Sequence, residues 1–465
     1  MGKQKIPVQK NDIVQVTCTD FTHDGNGVCK IDEYPLFVPY MIKGERAKVK
    51  VVKVNKRFGY GKLIKVIDES RSRREAPCNV FYQCGGCQLQ HMTYDMQLEM
   101  KREQVKDVMR KIARLDDVIV HPVFGTGNEW RYRNKIQMPV GEKDGELITG
   151  FYKPRSHQMV ADMETCHIQN EFGDEIVATA RDIASSLGVI AYDEKNNRGQ
   201  LRHIITRTAQ KTNDTMVIFV TRTEHFPEQK ELVDQLTKYY PEIKSIIQNI
   251  NSKKTNVILG ETSKTLYGES FIYDTIGDLT FKLSPKSFFQ VNNVQTEKLY
   301  DVALQYAKID RDDVVVDAYC GIGSISLFLA KRAKKVYGVE IVAEAVEAAR
   351  DNAKLNDVDN VEFVVGKAEE VMPQWYEDGL RPDVIIVDPP RKGCDEKLLE
   401  AMLAMKPERI VYVSCNPSTL ARDLRFLEDG GYKTEEVQPV DMFSQTYHVE
   451  NVARLERICN QTKKS

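Results

Sequence analysis

From about residue 285 the chain repeats one unit: a short apolar run, a turn, then a stretch with helical patterning. Val314-Val315-Val316-Asp317 precedes a helical pattern over 324–333, and Val336-Tyr337-Gly338-Val339-Glu340 precedes another over 343–356. Further apolar runs stand at 361–365, 383–388, 409–414, 433–440 and 452–457. A strand that is apolar along its whole length needs cover on both faces, and alternation with helices supplies it. The pattern therefore predicts an α/β unit with a doubly wound, Rossmann-like parallel sheet. Ligands of such sheets bind beyond the carboxyl ends of the strands, so the residues that end these runs are the first candidates for chemistry.

Three of those ends are informative. Asp317-Ala318-Tyr319-Cys320-Gly321-Ile322-Gly323 places a glycine turn between the first strand and its helix, which lets backbone approach a ligand closely. Glu340 ends the second strand, where an acid accepts the hydroxyls of a ribose, as in dinucleotide binders. The third glycine of the dinucleotide fingerprint is missing, with Ser326 in its place, so a pyrophosphate is less supported than S-adenosylmethionine. Asp388-Pro389-Pro390 ends the fourth run and is similar to the substrate-side motif of methyltransferases, although Pro-Pro also stops strands for purely structural reasons. The fifth run, Val411-Tyr412-Val413-Ser414, delivers Cys415 followed by Asn416-Pro417. A thiolate there is a far better nucleophile than a hydroxyl near neutral pH.

At 465 residues the chain exceeds one ordinary core, and three units are expected: 1–70, 71–285 and 286–465. From Asp12 to about Val66, short period-two runs separated by turn signals predict a small β-barrel. The order Asp24-Gly25-Asn26-Gly27-Val28, Phe37-Val38-Pro39, Gly44-Glu45 resembles the TRAM domain, an oligonucleotide-binding-like barrel. The formal net charge of −2 excludes a globally basic nucleic-acid binder, so any such surface is local. Residues 43–65 provide one, with nine lysines and arginines against the single acid Glu45, and with Arg57-Phe58-Gly59-Tyr60 offering rings for stacking. The stretch 71–285 reads as mixed α+β. It has helices over 94–115, 170–187 and 227–239, and strands over 134–140, 148–152, 204–208 and 215–221. No run reaches the roughly 18 apolar residues of a membrane span, and Met1-Gly2-Lys3-Gln4-Lys5 leads into no signal-peptide core. A cytoplasmic monomer is expected.

Ser414-Cys415-Asn416-Pro417, Asp388-Pro389-Pro390-Arg391-Lys392-Gly393, His448-Val449-Glu450 and Ser287-Phe288-Phe289-Gln290-Val291-Asn292 together resemble the bacterial RNA uracil-C5 methyltransferases, from about residue 10 to 458. The resemblance implies Cys415 as the nucleophile that adds to uracil C6 and Glu450 as the base that removes the C5 proton. It also implies Gln290, Tyr319, Glu340 and Asp388 around S-adenosylmethionine. RNA cytosine-C5 methyltransferases place Pro-Cys after the fourth strand, a pattern absent here. His448 is read as orienting or structural.

Cys78, Cys84 and Cys87 form Cys-x5-Cys-Gly-Gly-Cys, and Cys166 is the best fourth partner. Four cysteines suit a [4Fe–4S] cluster or zinc, and the spacing differs from paired zinc knuckles. The resemblance implies the [4Fe–4S] cluster, with a structural role. Bacterial tRNA enzymes of this family generally lack both the barrel and these cysteines, so the resemblance favours 23S rRNA, although archaeal-type relatives with both features act on tRNA. Two rivals belong to other classes: a non-catalytic RNA-binding assembly factor, and an exocyclic amino methyltransferase, which needs no cysteine.

Overall fold

The computed structural model describes residues 6–156, 158–160 and 163–458; the N-terminal residues 1–5 discussed above lie outside them. Five strands, Ile13–Phe21, Gly27–Ile31, Tyr34–Val38, Arg46–Val54 and Gly59–Asp68, close into a barrel. Along Arg46–Val51 every second residue is buried, so Ala47, Val49 and Val51 fill the barrel while Arg46, Lys48 and Lys50 point out. The single acid of the basic run, Glu45, is buried and pairs with Arg73 (2.6 Å), which also donates to the Tyr40 carbonyl (2.8 Å). Glu45 thus ties the barrel to the following segment and does not neutralise its lysines.

The central unit is a six-stranded sheet, in the order Thr262–Gly268, Ile243–Ile250, Thr215–Thr221, Leu201–Thr208, Lys135–Lys143 and Glu146–Thr149. All of Thr215–Thr221 is buried because both faces are covered. Val217 and Phe219 pack with the helices Glu171–Ser186 and Gln229–Tyr239 on one side. On the other side Met216, Ile218 and Val220 join one continuous core with the hairpin Ile272–Ile276/Leu279–Leu283 and the C-terminal sheet.

That C-terminal sheet has eight strands, in the order Val361–Val365, Lys335–Glu340, Val314–Ala318, Val384–Val387, Arg409–Ser414, Glu450–Arg457, Tyr432–Val440 and Ile119–Val120. The doubly wound α/β expectation holds for the first five, which are parallel. Glu450–Arg457 departs from it: this strand runs antiparallel to both neighbours because it returns as the second arm of a hairpin. The boundary expected at residue 286 is also crossed. The helix Tyr94–Val108, continued to Ala113 as a wider π-helical turn, places Val105, Met109 and Ala113 in the core of the C-terminal sheet, and Ile119–Val120 pairs with Tyr432–Val440. An amphipathic stripe announces that a helix is buried on one face but does not name the surface that buries it. Among the described residues no helix is long and apolar enough to cross a membrane.

Candidate active site

The parallel strands stop at one edge, and there the chain turns sharply. Tyr319 adopts φ +69° and Gly321 φ +54°, with the Tyr319 and Cys320 N–H groups donating to the Val339 carbonyl (3.0 and 3.1 Å). A side chain at Gly321 would meet nothing within 4 Å, which leaves the backbone open to a ligand. Gly323 (φ +82°) opens the helix Ser324–Ala330, and a Cβ there would crowd Phe363 at 3.0 Å. Glu340 accepts from the backbone N–H groups of Gly321 (3.2 Å) and Val342 (3.0 Å), one carboxylate oxygen each, so further lone pairs stay available for hydroxyls.

Asn416 and Pro417 act on Cys415 indirectly. The Asn416 side chain accepts from the Ser418 N–H (3.1 Å) and caps the helix Pro417–Asp429, whose first residue is proline. Its Nδ2 donates to the Arg391 carbonyl (3.0 Å), binding the cap to the Asp388-Pro389-Pro390 turn. The chain therefore leaves the sheet immediately after Cys415. In the antiparallel pairing Ser414 stands opposite Asn451, which sets Cys415 and Glu450 side by side at the ends of adjacent strands.

Gln290, Tyr319, Glu340, Asp388, Cys415 and Glu450 border one cavity of about 700 Å³. Its electrostatics follow from burial. Burial, with Asp388 adding to it and Arg391 opposing, pushes the Glu450 carboxyl up to about 8, and burial pushes Asp388 up to about 6. Burial, Glu450 and Asp388 push the Cys415 thiol up to about 11, with Arg391 pulling the other way. Asp317, raised to about 7 mainly by burial, accepts from the Ser326 hydroxyl through one oxygen, while the other is buried without a partner.

Arg133, Phe288 and Phe443 also border the cavity. No local sequence signal marks Arg133 or Phe443, which arrive from the central sheet and from the hairpin connection. Phe288 is 71% exposed, and a large apolar ring in that position is suited to contact with a ligand. Cys320 borders the cavity, whereas Cys394 is buried elsewhere, its N–H donating to Asp423 (2.9 Å). His448 packs on Tyr447 (centroids 4.3 Å) and Phe443 (6.1 Å), and burial lowers it to about 4, so it is neutral near pH 7.

Cys78, Cys84, Cys87 and Cys166 border a second cavity of about 270 Å³. Cys84, Cys87 and Cys166 are buried, and burial raises all four thiols. Cys166 is presented by its N–H donating to Asp174 (2.9 Å) at the start of the helix Glu171–Ser186. Among the described residues no three histidine, cysteine, aspartate or glutamate side chains stand close enough to hold a single metal ion.

The family profile "tRNA (Uracil-5-)-methyltransferase" matches residues 93–458, and that of the TRAM domain matches residues 7–64. The chain belongs to the RNA uracil-C5 methyltransferase family. It is 61% identical over 455 residues to an "Uncharacterized RNA methyltransferase" of Oceanobacillus iheyensis, covering 98% of this chain and 99% of that one. It is 56% identical over 456 residues to a protein of the same name from Halalkalibacterium halodurans, again covering 98% and 99%. Among solved structures it is similar to the Pyrococcus abyssi tRNA (uracil-54, C5)-methyltransferase in complex with S-adenosyl-L-homocysteine. The identity is 30%, the TM-score 0.77, and the coverage 95% of this chain and 99% of that one. This methyltransferase chain is an enzyme whose methyl donor is S-adenosylmethionine, and its main cavity fits that donor. The open backbone at Gly321, the Glu340 carboxylate with lone pairs left over and the unpartnered Asp317 oxygen meet at the strand ends.

Proposed function

We propose that the protein methylates uracil C5 in 23S rRNA through a covalent adduct between Cys415 and C6. The observation that carries this reading is the register of two strands: Ser414 opposite Asn451 makes Cys415 and Glu450 neighbours on the wall of the cofactor cavity. Uracil C5 is a poor nucleophile until the 5,6 double bond is broken. The Cys415 thiolate adds to C6, and the electron pair displaced to C5 attacks a methyl group. Bound S-adenosylmethionine would supply that methyl as an electrophile, its S–CH3 bond breaking to leave S-adenosylhomocysteine. C5 then holds both methyl and proton. The Glu450 carboxylate takes the proton, the double bond re-forms, and the C6–S bond breaks to return the thiolate. Gln290, Tyr319, Glu340 and Asp388 are read as the donor's contacts.

A uracil inside a duplex cannot meet thiolate and methyl donor together, so the target is a loop or flipped nucleotide. The outer face of the barrel supports binding of the flanking RNA. Lys48 stands opposite Lys65 and Lys50 opposite Lys62 on exposed positions of paired strands. Like charges directly opposite destabilise a sheet, and an RNA phosphate relieves that repulsion.

The combination of barrel and cysteine segment supports 23S rRNA. A second reading, the same chemistry on tRNA, is supported by the Pyrococcus abyssi enzyme, whose similarity spans 95% of this chain. The deciding experiment offers 5-fluorouridine-substituted 23S rRNA and tRNA with S-adenosylmethionine, then maps the RNA-linked peptide after denaturation. Fluorine on C5 cannot leave as a proton, so a methylated adduct at Cys415 is expected with the rRNA. An adduct with tRNA alone overturns the substrate, and no adduct with either overturns the mechanism.

A pH dependence follows from Glu450. Below about 8 its carboxyl is protonated and unable to accept the C5 proton. Adduct resolution is therefore expected to rise about tenfold per unit well below pH 8 and to level off above it, while adduct formation, which draws on the Cys415 thiol at about 11, keeps rising. Single-turnover quench at a series of pH values checks this, and a resolution rate that stays flat below that pH removes Glu450 as the base.

We also infer that Cys78, Cys84, Cys87 and Cys166 hold a [4Fe–4S] cluster. Four thiols around one cavity, three of them in Cys-x5-Cys-Gly-Gly-Cys spacing, support a group whose irons each take one thiolate. The expected role is to tie the segment after the barrel to the central sheet. Anaerobically purified protein should be brown and contain about four irons per chain. A colourless protein with one zinc would remove the assignment.

A further inference from the structure

The connection Asp441–Val449, between the strands Tyr432–Val440 and Glu450–Arg457, is largely buried, with Phe443, Tyr447 and His448 partly so, and is held from three directions. The Asp441 carboxylate pairs with Lys101, both wholly inaccessible, and accepts from the Tyr94 hydroxyl (2.6 Å) and the Ser444 hydroxyl (2.7 Å). Lys101 also donates to the Phe443 carbonyl (3.2 Å) and Tyr132 to that of Ser444 (2.9 Å), while Asn292 donates to the Met442 carbonyl (3.1 Å). At the turn itself Gln445 adopts φ +70°, a region that a long side chain rarely occupies. Its N–H donates to Gln97 Oε1 (3.1 Å), its Oε1 accepts from Gln97 Nε2 (3.1 Å), and its Nε2 donates to Glu129 (2.6 Å). Its carbonyl accepts from the N–H groups of Gln88 and Leu89 (2.9 and 3.0 Å), the two residues that follow Cys87.

A sparsely populated backbone conformation persists only where its surroundings over-determine it. Here the surroundings are the cysteine segment and the helix Tyr94–Val108, and the chain they constrain runs straight into Glu450. Cys415 is anchored separately by the Asn416 cap and the Arg391 carbonyl. Cys415 and Glu450 share the pairing of Ser414 with Asn451, but each has in addition its own anchor on the far side of it.

We propose that Gln445, clasped by Gln97 and by the backbone after Cys87, is a positioning residue that aims Glu450 for proton removal, so that the cysteine segment is coupled to the second half of the reaction and not the first. The inference rests on the reading of Cys415 and Glu450 given above. A displacement of about 1 Å in a catalytic group is enough to cost on the order of a hundredfold in rate. Losing the clasp therefore slows release of the RNA while the attack on C6 continues.

The test compares wild type, Gln97→Ala, Gln445→Ala, Gln445→Gly and Gln445→Asn with Glu450→Gln as reference. In vitro transcripts of 23S rRNA and tRNA are presented together with S-adenosylmethionine. The Gly variant keeps the left-handed turn without strain and loses only the side chain, and circular dichroism verifies folding of each variant. Gln445→Ala, Gln445→Gly and Gln97→Ala are expected to lower turnover at least tenfold and to accumulate methylated, denaturant-resistant RNA–protein complex at least fivefold over wild type. The first-turnover rate of adduct formation should change less than threefold, and Gln445→Asn should recover part of the turnover. Folded variants in which adduct formation and turnover fall together, or neither changes, overturn the clasp while Glu450→Gln still accumulates complex. If Glu450→Gln accumulates none, the base assignment itself falls and the clasp with it.

Discussion

Glu450→Gln is expected to slow turnover by about 10²- to 10⁴-fold while covalent complex builds up, the usual worth of a positioned general base. The substitution keeps the shape of the side chain and removes only its capacity to take a proton. Attack by Cys415 does not use that capacity, and with Gln at 450 the thiol also loses a neighbouring carboxylate that pushes it up. Adduct formation should therefore persist or quicken at a given pH, while methylated RNA stays attached to the protein. Cys415→Ala gives the opposite picture: no complex and no product, because nothing breaks the 5,6 double bond. The pair of variants separates the covalent route from direct amino methylation, for which Cys415→Ala would stay active. A denaturing gel with radiolabelled methyl donor reads both, and a Glu450→Gln enzyme that turns over at the wild-type rate would dismiss the assignment.

Lys101→Met is expected to destabilise the protein by about 3–5 kcal/mol, because it leaves the Asp441 carboxylate buried and unpaired. Burial already drives the lysine's proton affinity down, and Asp441 is what holds it up. Removing either partner exposes the other to the full penalty of a low-dielectric site. For a chain of this size the change corresponds to a fall in Tm of about 3–5 °C. Replacing both partners, as in Lys101→Met with Asp441→Leu, should recover only part of the loss: no charge then remains to be desolvated, but the Tyr94 and Ser444 hydroxyls lose their acceptor. Thermal denaturation of Lys101→Met, Asp441→Leu and the double variant decides the matter. A single variant melting within a degree of wild type would mean that the pair is solvated in solution.

Much of the site was legible because its signals are local. Asp388 and Cys415 each follow an apolar run and stand one and two residues before a proline, which is a property of a few adjacent residues. Gly321 and Gly323 announce their turn by composition, and the turn does need positive φ at both. Glu450 has no such mark: the last apolar run begins at 452, beyond it, and while the chemistry calls for a base at C5, it is the family resemblance that implies Glu450 in that role. Gln290 came from resemblance alone. Arg133, Phe288 and Phe443 were not singled out as lining the cavity, because an arginine or phenylalanine in isolation is equally at home on an ordinary surface or in a core.

The amino-acid sequence by itself determined the strands and first helices of the C-terminal sheet, and that a glycine turn, two acids and a cysteine stand at the ends of strands that must share a sheet; the strands Ile243–Ile250 and Thr262–Gly268 and the hairpin Ile272–Ile276/Leu279–Leu283 emerged only from the structure. Periodicity, caps and breakers act over one or two turns of chain, and such effects are readable without knowing the rest of the molecule. The tertiary structure alone decided which ends become neighbours. The antiparallel return of Glu450–Arg457 beside Arg409–Ser414 is what joins Cys415 to Glu450. The docking of Tyr94–Val108 on the C-terminal sheet is what brings Lys101 and Gln97 to Asp441 and Gln445. Both depend on complementary faces meeting across hundreds of residues, and an apolar stripe specifies that it must be covered, not by what.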